Sequence, residues 1–134
     1  MGADIHVYAE YNADGSWMPS PCQPLREPVL IWRDYNLFGI LAPMGRRASN
    51  WAIAECRGLP TNMSKWAVEF FGASEETQGL HHYSWLTFAE ILETPLSPEL
   101  NKIRIRSHFY KWLEFVKVPY VALDNQRVIF AFDN

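Results

Sequence analysis

Asp4, His6, Tyr8 and Glu10 alternate with Ile5, Val7, Ala9 and Tyr11 near the start of the chain. In an extended strand, side chains two apart lie on one face. This spacing therefore puts a carboxylate, an imidazole, a phenol and a second carboxylate in one row, opposite an apolar face. Asp4 and His6 at that spacing can face one divalent ion, and His81, His82 and Asp133 supply further donors of the same kind. A metal held by these five would lower the pKa of a bound water and make a hydrolytic nucleophile. Without a metal, Asp4 or Asp133 could orient His6 or His82 as a general base. Ser84 is a nearby hydroxyl, but the G-x-S-x-G context of an activated serine is missing. The structural alternative for the same residues is a hydrogen-bonded polar network that fixes strand ends. Glu10, two pleats from His6, reads as a surface or rim residue.

A second chemistry is anion recognition. Arg33, Arg46, Arg47, Arg57 and Arg127 carry guanidinium groups that can grip phosphate or carboxylate bidentately. Tyr8, Tyr83 and Trp85 offer flat faces for a base. Tyr8, Arg57, Trp85 and Arg127 are the ligand-binding set expected from this reasoning. No glycine-rich phosphate loop of either common pattern accompanies them. The alternative is that Arg57 and Arg127 pair with buried acids such as Asp4 and Asp133. A third feature is the basic run of Lys102, Arg104, Arg106, Lys111 and Lys117. On one helix it would align Arg104 with Lys111, a face that is ordinarily just solvated.

The elements that must position these groups can be read from turn and cap signals. Residues 12–15, Asn-Ala-Asp-Gly, form a turn signal between the first strand and residues 16–18, so a hairpin is expected. Pro19, Pro21, Pro24 and Pro28 then suggest an extended loop. Asp34 suits the N-cap of a short helix that stops before Pro43, and residues 44–50 read as an exposed loop. Thr61 or Asn62 can cap a helix over 64–71 in which Met63, Trp66 and Phe70 share a face and which Gly72 ends. Residues 73–79 look like a mobile acidic approach to His81 and His82. Thr87 and Glu90 have capping-box spacing, and Ser97-Pro98 opens a longer helix over 98–116. Residues 118–132 read as a closing hairpin, and the unbroken apolar run 128–132 suggests a strand covered on both faces. The expected fold is a single α+β domain, a mainly antiparallel sheet with three or four helices packed on it.

Composition narrows the function classes. The 134 residues, 49% hydrophobic, suit one domain with one ordinary core. Net charge of −3 gives none of the basic surface that general nucleic-acid binding rewards. No apolar run reaches the roughly 18 residues a bilayer span needs, and no secretory signal pattern is present, so no membrane role and a cytoplasmic location are expected. Cys22 and Cys56 form no paired motif, which argues against a disulfide framework or a cysteine zinc site. Six Trp, six Tyr and eight Phe supply material for a core, a partner interface or a stacking pocket.

Five blocks in order carry a resemblance: residues 1–6 (MGADIH), 33–38 (RDYNLF), 57–60 (RGLP), 82–87 (HYSWLT) and 127–134 (RVIFAFDN). Together they resemble a family of small bacteriophage and prophage proteins that begin Met-Gly-Cys-Asp-Ile-His. The resemblance implies a phage-type accessory protein in a bacterial host cell. It would bind a host protein or a small host molecule, in host takeover or in counter-defence such as inhibition of a bacterial immune system. Ala3 stands where that family usually has cysteine, so a thiol role there is not available to this chain. The alternative expectation is a small metal-dependent hydrolase acting on a phosphate-containing substrate, with a divalent metal as its cofactor.

Overall fold

The alternation at the N-terminus forms strand β1 (Asp4–Asn12), and the turn after it returns the chain as the short β2 (Trp17–Pro19). The computed structural model describes residues 4–23, 35–43, 52–72 and 79–133. In addition to these two strands, it contains β3 (His81–Thr87) and β4 (Gln126–Asp133) in one antiparallel sheet of order β2-β1-β4-β3. The last strand thus lies between the first and third. Its pairing with β1 runs from Asp4 opposite Asp133 to Tyr11 opposite Gln126.

Five helices accompany the sheet among the described residues: α1 (Tyr35–Leu41), α2 (Lys65–Gly72), α3 (Phe88–Glu93), α4 (Pro98–Arg106) and α5 (His108–Val116). Ile5, Val7 and Ala9 of β1, with Leu86 of β3 and Val128, Phe130 and Phe132 of β4, build the larger core against α1, α3 and α5. On the opposite face Tyr8, Ile129 and Ala131 meet Ala67 and Phe71 of α2, joined by Leu80. Both faces of β4 are therefore covered, which is why its sequence does not alternate. Full burial of Phe130 on one face and of Ile129 on the other contributes about 1.5–3 kcal/mol each, so this strand holds the two layers together. The result is a single compact α+β domain with an antiparallel sheet, as the sequence implies.

Local differences have physical causes. The helix expected over 98–116 is two helices, because Ser107 ends one and starts the next. Its Oγ accepts from Tyr110 N–H at 3.0 Å and donates to the Arg104 carbonyl at 2.9 Å. The expected closing hairpin does not form. Instead the Gln126 side chain imitates a strand partner, accepting from Val118 N–H at 2.8 Å and donating to the carbonyls of Val118 and Val121. Helix α2 is capped by Ser64, which accepts from Ala67 N–H at 3.3 Å, and not by Thr61 or Asn62. Pro19 belongs to β2, where it sits opposite Glu10. The Thr87 capping box and the Ser97 cap with Pro98 form as expected, and α2 ends at Gly72. Asp34, Pro24, Pro28 and the segments 44–50 and 73–78 lie outside the described residues.

Candidate functional site

Glu10 faces Arg127 across the β1–β4 ladder, and Arg127 in turn faces Thr87 of β3. The guanidinium of Arg127 donates to Glu10 Oε1 from Nε at 2.9 Å and from Nη2 at 2.7 Å, and its Nη1 reaches Asn62 Oδ1 at 3.0 Å. The other carboxylate oxygen of Glu10 accepts Ser64 N–H at 2.8 Å. Glu10, expected at a rim, is instead 1% exposed, and Arg127 is 2% exposed. The correction follows from the partners: an ion pair with its remaining lone pairs satisfied tolerates burial that a lone carboxylate does not. Burial lowers the Arg127 pKa, and the bond to Glu10 opposes that shift.

Two indoles and a second guanidinium gather beside this pair. Arg127 lies 3.9 Å from the Trp17 ring centre and 5.8 Å from that of Trp85, while Arg57 lies 4.5 Å from the Trp85 ring centre. Trp17 is delivered by the hairpin, Trp85 by β3, and Arg57 by the segment running along the outer edge of β3. That segment is pinned by Ser84, whose Oγ accepts Arg57 N–H at 2.9 Å, and by the Gly58 N–H bond to the Tyr83 carbonyl at 3.0 Å. Gly58 has φ of +76°, a backbone state that glycine adopts without strain. Ser84 is thus a positioning hydroxyl for Arg57.

Arg57 holds Glu90 end-on, Nη1 to Oε1 at 2.8 Å and Nη2 to Oε2 at 2.5 Å, and Nη1 also reaches the Trp85 carbonyl at 3.1 Å. That hydrogen bond holds the Glu90 carboxyl down at about 2, against the upward push of burial and with help from Thr87. A guanidinium has five N–H donors. Among the described residues, the Nε–H and one Nη2–H of Arg57 have no acceptor. Donors along one guanidinium edge form a fork that suits carboxylate or phosphate. An open cleft of about 420 Å³ runs between these groups, lined by Trp17, Arg57, Trp85 and Arg127 with Thr61 and Asn62.

Three of the four expected ligand residues therefore meet. Tyr8 does not join them. It lies under α2, its ring 5.2 Å from that of Phe70, and burial, with Glu10 and Glu69 nearby, pushes its phenol up to about 12. The expected alternative partners of the arginines are also revised. Arg57 pairs with Glu90 and Arg127 with Glu10, because Asp4 and Asp133 sit at the far end of the sheet. Arg33, Arg46 and Arg47 lie outside the described residues. Trp17 was absent from the sequence-based set, yet the hairpin register places it opposite Asn12, on the face shared with Glu10. Period two plus the turn signal would have found it.

The expected metal ligands fall into two groups. His6 Nε2 meets Asp133 Oδ2 at 2.6 Å, and Asp4 N–H donates to Asp133 Oδ1 at 3.2 Å. His81 is in register with Phe132, a residue of the larger core face, and its Nδ1 meets His82 Nδ1 at 2.6 Å. His82 has φ of +54° beside a bulge, which turns two neighbouring rings together where a regular strand would separate them. Burial, and then the neighbouring His81, lower the His82 pKa. Among the described residues, no group of three or more His, Cys, Asp or Glu side chains is placed to hold one ion.

The basic run is divided as well. Arg104 is buried and donates to the carbonyls of Ile91 and Thr94 and to Asn101 Oδ1. The break at Ser107 puts it on a different helix from Lys111. Cys22 and Cys56 are unpaired thiols. Comparison of the chain with protein-family models, curated proteins and solved structures finds no match.

Proposed function

We propose that this is a phage-type accessory protein that binds a small host molecule with a flat ring and an anionic group, as in a nucleotide. Binding would take place in the cleft of Trp17, Arg57, Trp85 and Arg127. The observation that carries the reading is the indole and guanidinium stack beside an open cleft, with an Arg57 donor edge that has no acceptor among the described residues. Indole faces favour a planar ring, and the donor fork favours phosphate or carboxylate. The five blocks of resemblance to phage proteins motivate the setting, host takeover or counter-defence in the host cell. No helix among the described residues is long and apolar enough to cross a membrane.

The test is equilibrium binding of a panel of nucleoside mono-, di- and triphosphates, read by tryptophan fluorescence and by calorimetry. The expected result is saturable binding that Trp85→Ala and Arg57→Met each weaken about tenfold, equivalent to about 1.4 kcal/mol. Lys102→Ala, at an exposed position on α4, serves as the control and leaves binding unchanged. Binding that is indifferent to Trp85 and Arg57, or absent across the panel, would sink the nucleotide reading.

A further inference from the structure

Arg57 and Arg127 are the cations among the described residues that line the cleft, and that lining contains no acid. Each guanidinium is nevertheless neutralised by a carboxylate outside the lining, Arg57 by Glu90 at 2.5 Å and Arg127 by Glu10 at 2.7 Å. The four charges sum to zero, and the chain as a whole carries −3. The cleft therefore offers directed N–H donors with little net positive field.

The guanidinium donors left over are few. Arg127 commits its Nε–H, its Nη2 group and one Nη1–H to Glu10 and Asn62. Arg57 turns its end to Glu90, which leaves its Nε–H and the adjacent Nη2–H as one edge without an acceptor among the described residues. An edge of two parallel donors matches two oxygens on one atom. A phosphodiester and a carboxylate each present two such oxygens sharing a single negative charge. A terminal phosphate dianion presents three, with a second charge for which the described lining has no unpaired cation. Attraction to a site grows in proportion to ligand charge, whereas the cost of taking the ligand out of water grows with its square. Where the net field is weak, the second charge adds more cost than attraction.

We infer, resting on the nucleotide reading above, that the anion this cleft takes is singly charged with two free oxygens, a phosphodiester or a carboxylate attached to the ring-bearing part of the ligand. Phosphate dianions and polyphosphates are the poorer ligands. Arg57 supplies the fork, and Glu90 sets the charge preference by cancelling the Arg57 cation while leaving the fork open.

The test is calorimetry with one nucleoside carrying four different groups at its 5′ position: a phosphate, the methyl ester of that phosphate, a carboxylate and a triphosphate. At about pH 7.5 the phosphate monoester is mostly a dianion, its second pKa being about 6. The expected result is that the methyl ester or the carboxylate binds at least about threefold tighter than the monoester, and the triphosphate no tighter than the monoester. The tighter of the two monoanions identifies the source. In Glu90→Gln the Arg57 charge is no longer balanced, so the gap between ester and monoester should narrow by about threefold or more. Glutamine keeps an oxygen for Arg57 Nη1 and Thr87 N–H and also suits the capping box. Affinity that climbs with charge from ester to triphosphate, or an ester-to-monoester ratio that Glu90→Gln leaves unchanged, overturns the inference and leaves the nucleotide reading standing. Absence of binding by all four sinks both. Should Glu90→Gln not fold, the wild-type series alone decides.

Discussion

Removing the carboxylate of Glu10 should be the most damaging single change at the cleft. The Arg127 guanidinium side chain is 3% exposed and that of Glu10 is fully covered, so truncating Glu10 leaves a cation with neither water nor counter-charge. Breaking one side of a buried pair costs about 3–5 kcal/mol. Ser64 N–H also loses its acceptor at the start of α2, a further penalty of about 1 kcal/mol or more for an orphaned buried donor. Glu10→Ala is therefore expected to cost about 4–6 kcal/mol, a large part of the roughly 5–15 kcal/mol that holds a domain of ordinary stability. Replacing both partners with apolar side chains removes the uncompensated charge. Glu10→Leu combined with Arg127→Met should then recover at least about 2 kcal/mol relative to the sum of the single changes. The assay is urea unfolding followed by far-UV circular dichroism and by tryptophan emission. A loss below about 1 kcal/mol for Glu10→Ala, or additive losses in the double variant, would refute the reasoning.

Other expectations follow from individual contacts. Glu90 has its carboxyl held at about 2 against an ordinary 4.5, so its bond to Arg57 stabilises fully above about 4.5 and is lost as pH falls toward 2. Glu90→Gln should flatten that part of the acid limb in a thermal-melt series, and an unchanged limb would exclude the bond as its source. Tyr8, at about 12, should ionise later than an ordinary phenol at 10.0 in an alkaline absorbance titration, and Tyr8→Phe should delete that late step. The folded chain retains this proton after the unfolded chain has released it, so the contribution of Tyr8 to stability declines as pH rises above 10. Ser107→Ala removes a cap that both accepts and donates within a buried junction, and a cost of about 1–2 kcal/mol is expected as a melting temperature lower by several degrees. A melting temperature equal to wild type would show that the α4–α5 junction does not depend on the hydroxyl.

What the sequence revealed was local in origin. The β1 alternation, the hairpin turn, the Thr87–Glu90 box and the Ser97-Pro98 start each depend on residues a few positions apart, and each formed. The pairings that build the cleft were hidden because they are long-range: Glu10 and Arg127 are 117 positions apart, and Arg57 and Glu90 are 33 apart. Charge and spacing named Arg57, Trp85 and Arg127 as ligand residues, but only the β1–β4 register could show that Glu10 is their buried neighbour. Strand β3 lacks a clear signal in the sequence because the His81–His82 bulge and a positive φ at its start interrupt the alternation that marks a strand. The split at Ser107 had a signal in the serine itself, a residue suited to N-caps, set between Arg106 and His108 in a run whose apolar spacing otherwise continues.

The row of Asp4, His6, Tyr8 and Glu10 reads as one site along the sequence and is divided by α2 in the fold. Its first two members meet Asp133, Tyr8 lies beneath the helix, and Glu10 turns to Arg127. Glu10 does two things at once. One oxygen holds the guanidinium that stacks on Trp17, and the other holds Ser64 N–H at the start of α2. Cleft and helix are thus coupled through one buried carboxylate, and a change at Arg127 or Glu10 disturbs the packing over Tyr8 as well as the stack. Loss of binding in such a variant would not distinguish a lost contact from a loosened fold. Arg57 stands outside that coupling, since it is about a quarter exposed and its ion pair with Glu90 is partly solvated, whereas Trp85 packs against the cluster beneath α2. Binding attributed to the cleft should therefore be sensitive to Arg57 at undiminished α2 packing, with the Tyr8 phenol still ionising near 12 in an Arg57 variant.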